Sequence, residues 1–270
     1  MSRWSVMLLL YALATIVLVI IAGFIWWAIV IPFVVFHAYV IDGVFRPNSQ
    51  FLLPSVTRGS RDSTQVALTF DDGPDPTYTP AIAALLKRHG ARATFFCIGR
   101  YIDAHPEVAQ QLLADGHELG NHSYSHSRLL NFRTAGPMRA EIANGAAALA
   151  RVGGPTNPLY RPPVGLKNPA LARIVPADNL TVVLWSLHSR EAWRRDATIL
   201  STAVCKRIKP GDIVLFHDGC DRPGVNRQAT VEAVEQVLNE LDRRGLQCVT
   251  VSELMNLDSS KNKETIPHSK

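Results

Sequence analysis

Val66-Ala67-Leu68-Thr69-Phe70-Asp71-Asp72-Gly73-Pro74-Asp75-Pro76 carries an apolar run straight into two adjacent carboxylates and a Gly-Pro turn. Branched and aromatic residues bounded by turn formers predict a buried strand over 66–70. Gly73 frees the backbone to turn and Pro74 stiffens it. Paired aspartates at a strand end can cap the following helix. They can also divide labour, one binding a cation while the other accepts a proton.

Outward from this stretch, short apolar runs alternate with longer amphipathic ones. Strands are expected at 66–70, 93–98, 118–121, 159–161, 181–186, 212–217 and 247–251. Helices are expected at 80–89, 106–115, 137–151, 197–208 and 225–244. Strands separated by helices imply one parallel sheet, open or closed into a barrel. No block repeats at solenoid length. Asp71, Asp72, His122, Arg161, the 185–191 stretch and His217 all fall at carboxyl ends of expected strands, where parallel α/β folds gather ligands and catalysts.

The 270 residues are 47% hydrophobic and 19% charged, which excludes a wholly disordered chain and allows a sizeable core. A net charge of +5 over this length is too mild to argue for nucleic acid. Cys97, Cys205, Cys220 and Cys248 stand singly, without the pairs of a zinc ribbon or the density of a disulfide scaffold.

Residues 4–36 contain no charged residue and no histidine. As a helix that stretch would be roughly 50 Å long, against about 30 Å for a bilayer core. One spanning helix over about 5–28 is expected, with Trp4 at one interface and Trp26 and Trp27 at the other. Residues 29–45, broken by Pro32, His37 and Asp42, read as an interfacial or re-entrant piece. Residues 1–45 are thus an anchor, 46–64 a tether rich in Ser, Pro, Arg and Gly, 65–258 the folded α/β domain and 259–270 a solvated tail. No clear cleavage site follows the apolar segment, so an uncleaved anchor is expected. Charge counts at the two ends of a single span nearly balance.

His122-Ser123-Tyr124-Ser125-His126 supplies two imidazoles four residues apart, which a helical turn would bring within reach of one ion. A carboxylate from another strand end would complete a His-His-Asp set with open coordination positions. That set suits catalytic zinc and equally serves non-haem iron. His117 is expected to pack or hydrogen-bond. Arg161-Pro162-Pro163-Val164-Gly165 fixes a rigid loop whose arginine can pair with the non-ligand carboxylate. Asp212-Ile213-Val214-Leu215-Phe216-His217-Asp218 ends a buried strand in an imidazole suited to proton donation.

In order and spacing these motifs closely resemble those of the NodB-like polysaccharide deacetylases, carbohydrate esterase family four. Thr69-Phe70-Asp71-Asp72-Gly73-Pro74, the two-histidine motif, the Arg161 loop and the His217 strand all match. Ala93-Thr94-Phe95-Phe96 and Gly116-His117-Glu118-Leu119-Gly120-Asn121-His122 are similar too, and the likeness spans 66–257. The resemblance implies a distorted barrel of about seven β/α units and a metal-dependent hydrolase removing acetyl groups from N-acetylated amino sugars. Carried over, Asp72, His122 and His126 would bind the metal, usually zinc, and Asp71 would be the general base, oriented by Arg161. The Val164 N–H would help hold the oxyanion, Leu215 would line the acetyl pocket, and His217 would be the general acid. An amide needs an activated water, a polarised carbonyl and a protonated leaving nitrogen, and metal, Asp71 and His217 supply these.

The fourth motif departs from the family pattern Trp-Ser-x-Asp-x-x-Asp-Trp. Trp185-Ser186-Leu187-His188-Ser189-Arg190-Glu191-Ala192 places His188 at the first Asp, Glu191 at the second and Ala192 at the Trp. Glu191 would support His217 with a longer reach. His188 either adds a cationic group suited to an acidic or phosphate-bearing substrate or, with Trp185, forms a remodelled groove wall.

The leading reading is a membrane-anchored deacetylase of an N-acetylated amino sugar in a polysaccharide, peptidoglycan or lipid-linked glycan. A glycan-binding protein that keeps the pocket without turnover, and an iron oxygenase, are the competing readings. The catalytic domain is expected in the periplasm or outside the cell, where most glycan substrates of relatives lie. A helical hairpin over 5–45 would reverse that side.

Overall fold

A computed structural model describes residues 2–22, 26–155, 158–189, 191, 195–222 and 224–255. Parallel strands β1 (Gln65–Asp71), β2 (Thr94–Cys97), β3 (Glu118–Asn121), β4 (Leu187–His188) and β5 (Ile213–His217) run in the order β3-β2-β1-β5-β4. The short β6 (Gln247–Cys248) pairs with the start of β1. Beyond β3 the wall continues through single bridges, Asn121 to Tyr160 and Tyr160 to Val182, before β4 rejoins β5. The result is the expected distorted barrel, with one arc stitched by isolated bridges.

That arc differs from the strands expected over 159–161 and 181–186. Both stretches are apolar and buried, but Pro162 and Pro163 lack the N–H groups a longer ladder needs. The pairing past 186 is taken up by Leu187 and His188.

Alternation along β1 divides the interior. Val66, Leu68 and Phe70 face the outer helices in the main core, whereas Ala67 belongs to the cluster inside the barrel with Phe96, Val183 and Ile213. Thr69 and Asp71 fall in the same register as Ala67, which is why a catalytic-type carboxylate emerges at the barrel mouth. The outer layer comprises α3 (Tyr78–Arg88), α4 (Gly99–Ala104), α5 (Pro106–Ala114), α6 (Ala135–Arg151), α7 (Pro169–Ala177), α8 (Ala197–Cys205), α9 (Gln228–Arg243) and the terminal turn α10 (Val251–Leu254). In α9 the buried residues Thr230, Ala233, Val234, Val237, Leu238 and Leu241 recur at helical spacing. His117 is buried and accepts the Ala93 N–H at 3.3 Å.

The amino-terminal region differs most from expectation. Two helices, α1 (Arg3–Ala22) and α2 (Trp27–Phe45), pack side by side, with Tyr11 stacked on Phe36 and the ring of Trp4 6.5 Å from Phe51 just beyond α2. Residues 29–45 are therefore one continuous helix. Pro32 sits one turn in, and the His37 ring bonds the Phe33 carbonyl. Residues 46–64 do not form a free tether. Leu52 and Leu53 are buried, and Val56 and Arg58 bridge to Val183 and Asp212, filling the seam of the barrel. The tail expected over 259–270 lies outside the described residues.

Candidate active site and metal centre

Asp71 ends β1 and Asp72 follows it at φ 75. Ser123, His126 and Val164 also sit at positive φ, at 65, 55 and 61. Non-glycine residues pay for this conformation, and its concentration around one cavity marks a backbone held for function. Gly73 is required for space and not for its own turn. A Cβ there would stand 2.2 Å from the buried Asp218 carboxylate. Burial and the nearby Asp72 and Asp71 push Asp218 up to about 7, against the hydrogen bond it accepts from Thr79.

Beyond β3, Asn121 accepts the Ser123 N–H at 2.9 Å, and Ser123 Oγ accepts the His126 N–H at 3.1 Å. This tight loop, in place of a regular helical turn, brings the two imidazoles together with ring centroids 4.8 Å apart. His126 Nε2 lies 3.2 Å and His122 Nε2 3.5 Å from Asp72 Oδ1. One ligand atom from each of Asp72, His122 and His126 falls within 4.8 Å of the others. His122 Nδ1 donates to the Arg161 carbonyl at 2.8 Å, so its Nε2 is left facing the site.

These residues fit a divalent cation on electrostatic as well as geometric grounds. Burial opposes a charge on His122, but Asp71 and Asp72 raise it above its ordinary value. Burial and a charged His122 push His126 down to about 4. Burial would raise Asp72, yet His122, His217 and His126 hold it below the usual carboxylate range. Positive charge is thus favoured beside Asp72, where a cation would supply it.

Arg161 is fully buried and reaches up the barrel interior. Its Nη1 donates to Asp71 at 2.6 Å and to Thr69 Oγ1 at 2.9 Å, while Nε and Nη2 donate to the Val183 and Leu184 carbonyls. Its guanidinium lies 3.9 Å from the Phe96 ring centroid and 5.7 Å from that of Trp185. Trp185 also presses on Gly165, where a Cβ would stand 2.3 Å from the indole.

His217 ends β5 and is hydrogen-bonded through Nδ1 to Glu191 at 2.6 Å. Thr230 donates to the other Glu191 oxygen at 2.9 Å. Burial opposes protonation of His217 but is outweighed by Glu191, with help from Asp72 and Asp71, and the imidazole is pushed up to about 9. It is therefore an acid at neutral pH.

One cavity of about 750 Å³ is lined by Asp71, Asp72, His122, His126, Val164, Trp185, His188, Glu191, Leu215 and His217, with Arg161 immediately behind. All the sequence-derived candidates meet there, although Ala192 lies outside the described residues. Sequence reasoning missed Asp221, which lines the same cavity, pairs bidentately with Arg128 at 2.7 and 3.1 Å, and stands 3.9 Å from His126 Nδ1. Its signal was a second acid just past the end of the His217 strand.

The polysaccharide deacetylase family profile matches residues 58–183. A peptidoglycan-N-acetylglucosamine deacetylase of Bacillus cereus is 39% identical over 193 residues, covering 70% of this chain and 87% of that protein. The chain belongs to the polysaccharide deacetylase family. Within this family of carbohydrate esterase four hydrolases, a chitooligosaccharide deacetylase of Azorhizobium caulinodans is 31% identical over 72% of this chain and 96% of its own length. The crystal structure of the Bc1960 peptidoglycan N-acetylglucosamine deacetylase superposes with a TM-score of 0.70 at 29% identity, covering 75% of this chain and 92% of that one.

Proposed function

We propose that this family member hydrolyses the N-acetyl group of an amino sugar in a glycan or glycolipid. The observation that carries the proposal is a single cavity holding three convergent cation ligands, a carboxylate gripped by Arg161, and a protonatable imidazole. Asp72, His122 and His126 would hold a divalent cation, zinc as the family resemblance implies, which supplies Lewis acidity toward water and the acetyl carbonyl. Asp71 accepts the proton of the attacking water, and Arg161 holds that carboxylate aimed. The Val164 N–H meets the charge developing on the carbonyl oxygen, with Leu215 against the methyl group. His217, backed by Glu191, delivers a proton to the departing nitrogen, which cannot leave as an anion. Trp185 and His188 bound the sugar.

The reading extends to the membrane. At about 1.5 Å per residue, α1 and α2 are each close to the roughly 30 Å of a bilayer core. As a hairpin they return the catalytic domain to the side where α1 starts. Arg3, Arg46, Arg58 and Arg61 then share that side, while residues 23–26 between the helices hold no Lys or Arg. This bias favours the cytoplasmic side, the reverse of the single-span expectation. Four unpaired cysteines suit a reducing compartment. A compartment-dependent reporter fused after Lys270 tests the side, and periplasmic activity would contradict it.

The activity is tested by incubating the purified full chain, zinc supplied, with N-acetylated chitooligosaccharides and with lipid-linked acetamido sugars, following acetate and free amine. Equimolar release of both is expected. No product from either substrate class would overturn the proposal.

A further inference from the structure

The cavity wall is not made by the barrel alone. Phe45, the last residue of α2, and Pro47 just beyond it line the same cavity as the proposed catalytic groups. Lys167 holds them there. Its buried side chain donates from Nζ to the carbonyls of Arg46 at 2.9 Å and Ser49 at 2.5 Å, with Pro47 at 3.4 Å, and its backbone N–H donates to the Val44 carbonyl. These carbonyls lie at and just past the C-cap of α2, where a cation is favoured by the helix dipole. Lys167 lies two residues past Gly165, so one short segment carries both the Val164 N–H and the clamp on the apolar helix.

Apolar surface runs outward from this contact. Phe45 is 63% exposed and Val164 56%, and Ile41, one turn back on the same face of α2, is exposed as well. A glycan polymer approaching from water has no use for a lip that continues into a membrane helix. A lipid chain does.

The charge at the mouth supplies the other half. Asp71 is paired with Arg161, Glu191 with His217, and Asp221 with Arg128. Three more arginines, Arg195, Arg222 and Arg227, line the same cavity. Arg222 is 71% exposed and lies 3.8 Å from an Asp221 already engaged by Arg128. Arg227 donates Nε to the Gly219 carbonyl, and among the described residues neither it nor Arg195 has a carboxylate partner. Asp72 faces the two imidazoles, so Arg195, Arg222 and Arg227 are not matched one for one by carboxylates among the described residues; beside a site for an uncharged acetamido group, such guanidinium groups are suited to phosphate oxygens.

Resting on the deacetylase reading above, we propose that the substrate is an acetamido sugar joined through phosphate to a lipid that stays in the bilayer. The sugar enters the cavity past the end of α2, the phosphate meets the arginines at the mouth, and the lipid follows the apolar face of α2. The reaction itself is unchanged: water adds, the C–N bond breaks, acetate and the amine leave, and the phosphate linkage stays intact.

The full chain in phosphatidylcholine nanodiscs is given, separately, polyprenyl-diphosphate-linked N-acetylglucosamine, N-acetylglucosamine 1-phosphate and chitotetraose. A kcat/KM roughly tenfold or more higher for the lipid-linked sugar than for either soluble one is expected. Phe45→Asp and Arg222→Glu should each lower the ratio of lipid-linked to chitotetraose turnover several-fold. Equal or better use of chitotetraose overturns this inference and leaves the deacetylase reading intact. Equal use of the sugar phosphate overturns the lipid assignment, as does an unchanged ratio in both variants. Acetate from none of the three overturns the deacetylase reading itself.

Discussion

Asp71 and His217 end neighbouring strands in exact lateral register, yet their surroundings are built differently. Asp71 is held by an arginine with no exposed surface, which also binds Thr69 and two main-chain carbonyls. His217 is 27% exposed and has one carboxylate behind it. The side proposed to handle water and cation is locked from below by the barrel interior. The side proposed to meet the leaving nitrogen and the sugar is open, rimmed by arginines, and carries this chain's departures from the family motif. On that reading, the chemistry common to every substrate is buried, and recognition is left at the mouth.

The contrast can be broken from either side. Asp71→Asn removes the base while keeping shape and should lower kcat by about 10³-fold, within the range for general-base loss. Bound metal should be retained, as measured by elemental analysis of the purified variant. Retained cellular function in that variant would instead favour the binding-only reading.

On the open side, Glu191→Gln should act through the pH profile. Glu191 raises the pKa of His217, so the wild-type acid stays protonated to about pH 9. Its loss lowers that pKa toward the ordinary value, and the alkaline limb of kcat moves to lower pH. Activity should fall roughly tenfold or more at pH 8 and far less at pH 6. A uniform loss across pH would mean that Glu191 acts only structurally.

The smallest effect concerns the loop joining the two sides. Val164 is β-branched at φ 61, so Val164→Gly should stabilise the domain by about 1 kcal/mol in denaturant titration. An unchanged or lower stability would show that the side chain's contacts outweigh its strain.

How far the sequence could be read follows the same division. β1, β2 and β5 were legible because each is a contiguous run of mostly apolar residues, whereas β3, Glu118-Leu119-Gly120-Asn121, was legible chiefly from the histidine motif that follows it. The ligands were legible because their motifs follow β1 and β3, and Arg161 because its loop follows the short apolar stretch at 159–160. α2 was misread because Pro32, His37 and Asp42 interrupt its apolar run, yet the helix continues through Pro32 at the cost of one backbone hydrogen bond. α7 was missed despite a local signal, Asn168 capping the helix by accepting the Leu171 N–H, with Pro169 at the first helical position. The α2 wall of the cavity and the Lys167 clamp had no local signal at all. They arise from contacts across more than a hundred residues, which no spacing rule encodes.

Asp72, His122 and His126 are proposed to hold one cation beside Asp71 and His217. Acetate release is to be measured from the full chain as purified, after exhaustive chelation, and after zinc is returned, with metal content determined at each stage. One equivalent of metal, loss of activity with its removal, recovery on its return, and neither metal nor activity in His126→Ala are expected. Undiminished acetate release from metal-free protein would rule the shared cation out.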